Sequence, residues 1–459
     1  MPHNLSLQLA TRSLCLEAGT LPRQALHAAE RAVLDGIGVM LAASGASSDV
    51  IPFREYALAR GGKPEARILG FNDPVAADQA AFVNGAMAHA LDYEDAFDAV
   101  PLHPNASLLP AALASAELHG CSGREFLAAV VLGCDLVCRL GLSLRQRMES
   151  YGWYPPPILG AFGATLAAAR IARLTPRQLC DAWSMLLCQN SCAGEIKYSP
   201  DATLRAVREA FPAQAAVTCV QLAAHGVRGF DAPFEGKAGF YRLFAGGDYD
   251  EQPLLAGIGE VFWIEQLSFK RWPTCRGTHA YIEAAQALRQ AARLDPQRIE
   301  SFLCIGGDIQ QMLAEPRQSK RAPRTLIDAK FSLPFVVAMA FTHPEIDLES
   351  LSSRALADAA VLDLAARSEF QRDPSWDAEH AAGGKLILRL RSGETLQHEV
   401  ARAFGEPSRP ISDALLRAKF VDCASHAAMP LTRERAHCLA ERLLNLDREA
   451  AVTNLLRQL

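Results

Sequence analysis

The chain has 459 residues, more than one hydrophobic core usually organises, so two domains are expected. Half of the residues are hydrophobic and 21% are charged, a globular balance that excludes an intrinsically disordered chain. A formal net charge of -5 excludes an overall basic field for nucleic acid or an anionic membrane, so any anion must be recognised by local cations.

The start, MPHNLSLQLATRSLCLEAGT, lacks the basic and then apolar order of a secretory leader. Apolar stretches such as GAFGATLAAARIARL fall short of the roughly twenty residues a membrane span needs, and arginine interrupts this one. A cytoplasmic protein without membrane or nucleic-acid partners is the expectation. The twelve cysteines are scattered, mostly in apolar surroundings such as VLGCDLVCRL, and read as buried small hydrophobes rather than a disulfide framework.

In chain order, LPRQALHAAERAVLDGIGVMLAAS has helical apolar spacing and predicts a long packed helix. A second helix begins in VAADQAAFVNGAMAHALDYEDAF, where Gly85 permits close helix contact. Ser122 with Glu125, and Thr175 with Pro176 and Gln178, supply helix starts of the capping-box type. From about residue 260 the texture changes, and VFWIEQLSF, RIESFLCIGG and GGKLILRLRSGETLQHEV predict strands, the last a hairpin around Ser392 and Gly393. Helical stretches such as HAYIEAAQALRQAAR lie between them, and helices return after about 405. The fold class is mainly α with an α+β insert: 1–265 and 405–459 as a large helical domain, 266–404 as a smaller α+β domain.

Chemistry concentrates in three places. AHALDYEDAFDAVPLHPNAS gathers His89, Asp92, Asp95 and His103; a helix continuing through Asp95 would set His89 and Asp92 on one face. These groups suit acid–base work, a solvated helix end being the bland alternative; nothing matches HExxH and no metal is expected. In SYGWYPPPILGAFG, Tyr154 stands before a helix, able to move a proton or donate to an oxyanion, or merely to be a core phenol. FKRWPTCRGTH offers Lys270 as a base, Arg271 and Arg276 as carboxylate clamps, Cys275 as a thiolate and His279 as a ligand-holding group. Against this stands a charged loop leading into a helix. No GxGxxG, P-loop or GxSxG pattern occurs.

The ordered pieces VNGAMAHALDYEDAF, LHPNASLLPAALASAE, FKRWPTCRGTHAYIEAA, DAKFSLPFVVAMAF, GGKLILRLRSGE and AKFVDC, spread over residues 25 to 440, resemble the MmgE/PrpD family. The resemblance implies a two-domain fold with a ligand cleft at the junction, commonly a homodimer, and substrates that are small di- or tricarboxylates. It implies active-site roles for Asp92, His103 and Lys270, with His279 shaping the pocket. Four positions depart from the decarboxylase-like pattern: Tyr154 and Cys275 each stand where a histidine is frequent, and Arg208 and Phe211 replace a Lys-x-x-His pair.

These readings favour a cofactor-independent epimerase or racemase. Tyr154 and Lys270 serve as unlike bases, with Cys275 in reserve, Asp92 and His103 orienting, and His89, Arg271, Arg276 and His279 binding substrate. A hydro-lyase is the near alternative; a decarboxylase or a non-catalytic carboxylate binder is less favoured.

Overall fold

The computed structural model describes residues 4–199, 202–376 and 381–459. Its centre is built from helices with no polar face. Ala77–Ala90, Pro104–His119 and Pro155–Ile171 are buried along nearly their whole length, and such helices are stable only when others surround them. Arg23–Ala46, Gly123–Leu142 and Ala210–Ala224 supply that shell. The expected caps form: Ser122 accepts from the Glu125 amide, and Thr175 and Gln178 make a reciprocal capping box.

Gly85 has the close contact expected of it. A Cβ there would lie 2.6 Å from the Glu209 carbonyl oxygen, so the helix backbone touches the Glu209–Ala210 backbone without an intervening side chain. The C-terminal helix Asp413–Ser425 returns to the first long helix, with Phe420 against Gly38 and Lys419 paired to Asp35 at 2.6 Å.

The smaller mixed part holds a four-stranded sheet in the order Ser368–Arg372, Ile299–Gly306, Gly384–Leu390, Thr395–Val400. The first pair is parallel and the others antiparallel, which matches an α+β rather than a regular βαβ pattern. Leu386, Leu388 and Leu390 alternate onto the buried face, where the helix His279–Ala292 packs. The predicted hairpin joins the last two strands through residues 391–394, a longer loop than two residues, with Gly393 left-handed at φ 88°.

Two local expectations are corrected. VFWIEQLSF is not a strand: Trp263–Gln266 is a 3₁₀ turn followed by one bridge, Ala96 to Ser268. Its Trp263 amide is held by the Asp135 carboxylate and the Phe269 amide by the Gly405 carbonyl, so no neighbouring strand is needed. The second helix ends at Ala90, and Asp92 turns left-handed at φ 49°. His89 and Asp92 therefore meet through a reversing loop, not along a helical face. Among the described residues no single helix is long and apolar enough to cross a membrane.

Candidate active site

The reversing loop after Ala90 brings acids and imidazoles together, and the segment carrying Lys270 crosses it. Lys270 Nζ lies 2.6 Å from Asp92 Oδ1, donates to the Asp92 carbonyl at 2.9 Å, and stands 4.0 Å from Glu94 Oε2, with Lys270 and Asp92 both excluded from solvent. Glu94 Oε1 takes a very short hydrogen bond from His89 Nδ1 and sits 3.2 Å from His103 Nδ1. His103 Nδ1 also lies 2.8 Å from the Asp95 carbonyl, which can only accept. Its ring proton is therefore on Nδ1, and Nε2 keeps a free lone pair. Asp95 receives the Asn105 side-chain amide and tethers the start of the helix that follows His103.

Protonation follows from burial and these neighbours. Burial opposes the charge on Lys270, but Asp92 and Glu94 outweigh it and its pKa is raised, so it is an ammonium. Burial pushes His89 and His103 well below the ordinary histidine value, against the pull of nearby carboxylates, so both are neutral. Burial raises Tyr154, with Arg208 and Arg205 offsetting part of the effect, and its phenol keeps its proton. Burial likewise pushes the Cys275 thiol up to about 11.

The expected residues separate into two groups. Asp92, His89, His103, Lys270, Tyr154 and Cys275 share one electrostatic neighbourhood. Tyr154 is capped by cations, with Arg208 4.9 Å and Lys197 5.0 Å from its ring centroid. Three expected substrate ligands lie elsewhere. Arg276 is committed to Asp98 and to the Ala403 and Phe404 carbonyls, leaving it no free fork for a ligand. Arg271 is exposed at the start of a bend, between the buried Lys270 and Trp272. His279 is buried against the Trp272 ring and donates from Nε2 to the Thr274 carbonyl. In this resting arrangement Lys270, Tyr154 and Cys275, expected as bases, all keep their protons.

Four participants were not singled out from sequence for this cluster, and a fifth, Arg208, was noted only as a departure from the family pattern. Glu94 bridges the histidines, and its signal was the second of the three acids within DYED. Arg208 is buried with Nε 3.1 Å from Glu209 Oε1 and Nη2 without a hydrogen-bond partner, and Arg205 stacks 3.5 Å from the Phe331 ring centroid with a buried, unpartnered Nε. Lys320 and Lys330 are buried on backbone carbonyls, and burial lowers each to about 8. Phe211, beside the arginines in sequence, points away and packs on Phe53 and Phe82.

His89, Asp92, Glu94 and His103 place one ligand atom each within 4.8 Å of one another, the spacing of a metal site. The cation these carboxylates already carry is the Lys270 ammonium, and both imidazoles direct Nδ1 to protein oxygens. The donors fit a hydrogen-bonded acid–base cluster better than a metal cage.

A two-part body, helical at both ends of the chain and mixed in between, thus surrounds a buried acid–base cluster faced by arginines. The sequence model of the MmgE/PrpD N-terminal domain matches residues 8–252, and that of the MmgE/PrpD C-terminal domain matches residues 272–445. The chain belongs to the MmgE/PrpD family. It is 24% identical to the cis-aconitate decarboxylase-like protein oryM of Aspergillus oryzae over 99% of this chain and 96% of that one. It is 23% identical to cis-aconitate decarboxylase of Mus musculus over 82% of this chain and 78% of the relative. With the Homo sapiens enzyme of the same name the identity is 22%, covering 100% and 95%.

Proposed function

We propose that the protein is an acid–base enzyme that moves a proton at the carbon α to a carboxylate of a small di- or tricarboxylate, with epimerisation as the outcome. The observation that carries this reading is the pairing of a neutral imidazole, His103 with Nε2 free, with two groups that keep their protons, Lys270 and Tyr154. His103 Nε2 takes the α proton, and Lys270 stabilises the charge developing on the adjacent carboxylate. Tyr154 gives its proton to the opposite face of the carbon, so one C–H bond breaks, another forms, and composition is unchanged. The pair then resets by returning a proton from His103 to the phenolate through solvent. Arg208 holds a spectator carboxylate in a planar fork that a lysine cannot supply. No step uses a metal or an organic cofactor, and activity is expected to survive chelation.

A lyase reading is favoured by one observation: the relatives named above carry decarboxylase names. In that case Lys270 or Tyr154 protonates the carbanion left by departing carbon dioxide. Incubation with chiral di- and tricarboxylates of four to seven carbons in deuterated water separates the two. Deuterium at Cα with inversion supports epimerisation, whereas loss of carbon dioxide or water without inversion rejects it. Homodimer assembly belongs to the same proposal and is read by sedimentation.

A further inference from the structure

Most buried cations near the site have a carboxylate. Lys270 pairs with Asp92, Arg276 with Asp98, Lys419 with Asp35 and Arg208 with Glu209. Lys330 is held by the Leu91 and Pro273 carbonyls instead, and Arg205 and Lys320 also depart from this pattern while bracketing a single residue. The guanidinium of Arg205 lies 3.5 Å from the Phe331 ring centroid, and Lys320 Nζ donates to the Phe331 carbonyl at 2.8 Å. Both side chains come from different elements, Leu204–Val207 and Arg317–Arg321, and both residues are over nine-tenths buried. Among the described residues, neither has a carboxylate within ion-pair distance; Asp328 attracts Lys320 only from farther away. The Lys320 carbonyl contact leaves two of its N–H groups undirected, and Arg205 Nε has no partner. Two like charges removed from water beside each other repel, and the arrangement is stabilised when an anion enters between them.

We propose that Arg205 and Lys320 form the seat of a second substrate carboxylate, distinct from the Asp92–Lys270 pole where the proton moves. The Phe331 ring that Arg205 covers lies 6.4 Å, centroid to centroid, from the His89 ring, so the seat adjoins the acid–base cluster. The planar fork of Arg205 offers two parallel donors and the Lys320 ammonium a third. The seat makes the enzyme selective for acids with at least two carboxylates. This inference rests on reading the pocket as a carboxylate site, but it concerns binding and not the chemical step.

The test uses unreactive probes and calorimetry on the full chain: succinate, glutarate and tricarballylate against the monoacid butyrate. Wild type is expected to bind at least one polyacid tenfold or more tightly than butyrate. Lys320→Met and Arg205→Met are expected to weaken that polyacid tenfold or more while changing butyrate less than threefold. Lys320→Arg, which keeps the charge, should retain most of the preference. A wild type without preference for any polyacid overturns the seat without reference to any variant. So do folded methionine variants that keep the preference or lose both ligand types equally. If either methionine variant fails to melt cooperatively, the glutamine replacements at the same positions take its place. Polyacid binding without exchange, inversion or mass change would leave the seat standing and remove the enzymatic reading.

Discussion

Lys270 and Asp92 form a solvent-excluded pair, closed at 2.6 Å between Nζ and Oδ1 and again at 2.9 Å to the Asp92 carbonyl. The lysine is thereby held as an acid, and the left-handed loop at Asp92 is pinned to the segment that follows the first domain. Removing one partner strands the other charge in a buried place. Lys270→Met is expected to destabilise the fold by about 3–5 kcal/mol, and a Lys270→Met, Asp92→Asn double variant to recover part of that while remaining inactive. Urea melts with turnover assays check both statements.

Tyr154 supplies the most specific kinetic prediction. If its phenol delivers the returning proton and His103 removes the first one, Tyr154→Phe leaves Cα deuterium exchange within about tenfold of wild type. Inversion should fall by about 10²-fold or more. A parallel loss of exchange and inversion would make the tyrosine a structural support for the pocket instead.

Cys275 should be dispensable for the chemistry. With its thiol pushed up to about 11, almost no thiolate exists at neutral pH. Cys275→Ala is expected to keep kcat within about fivefold, whereas a thiolate base would lose several orders of magnitude. Slow alkylation by iodoacetamide at pH 7 is the companion measurement.

The pH dependence has two limbs. His89, His103 and His279 have depressed pKa values in the fold, so their stabilising contribution is present above the unfolded histidine value of about 6.5 and is lost as pH falls through it. The melting temperature should therefore drop steeply below about pH 6. Lys320 and Lys330 are also depressed, to about 8, so their contribution is present above the unfolded lysine value of about 10.4 and is lost as pH falls toward 8. For ligand binding the sign differs, because Lys320 must carry charge. Burial and then Arg205 lower its pKa to about 8 against the opposing pull of Asp328 and Cys275, so KM for a polyacid is expected to rise above that pH.

Gly85 links packing to the site. A larger residue would meet the Glu209 carbonyl and displace Arg208 from the Tyr154 ring. Gly85→Val is expected to lower stability by about 1–3 kcal/mol and weaken polyacid binding, a combination seen by thermal melts and calorimetry.

Legibility in the sequence was uneven for definite reasons. Helices declared themselves through spacing and caps, as at Ser122 and Thr175, because a cap is made of neighbours within four residues. VFWIEQLSF misled because β-branched and aromatic residues mark half-buried extended chain whether or not a partner strand exists, and here Asp135 and Gly405 satisfy the backbone instead. His103, Asp92 and Lys270 were legible through their resemblance to family segments. Arg205 and Lys320 stood in unremarkable surroundings.

The sequence by itself determined a mainly helical chain with a mixed insert and the residues available for proton transfer. Only the tertiary structure decided which of them carry protons and which ones meet. Periodicity and capping are local properties, but a pKa depends on burial and on charges from distant segments: Lys270 is kept charged by Asp92, 178 positions away, while Arg276 is taken out of service by Asp98. The pairing of Arg205 with Lys320 around Phe331 joins segments more than a hundred residues apart, and no spacing rule reaches that far.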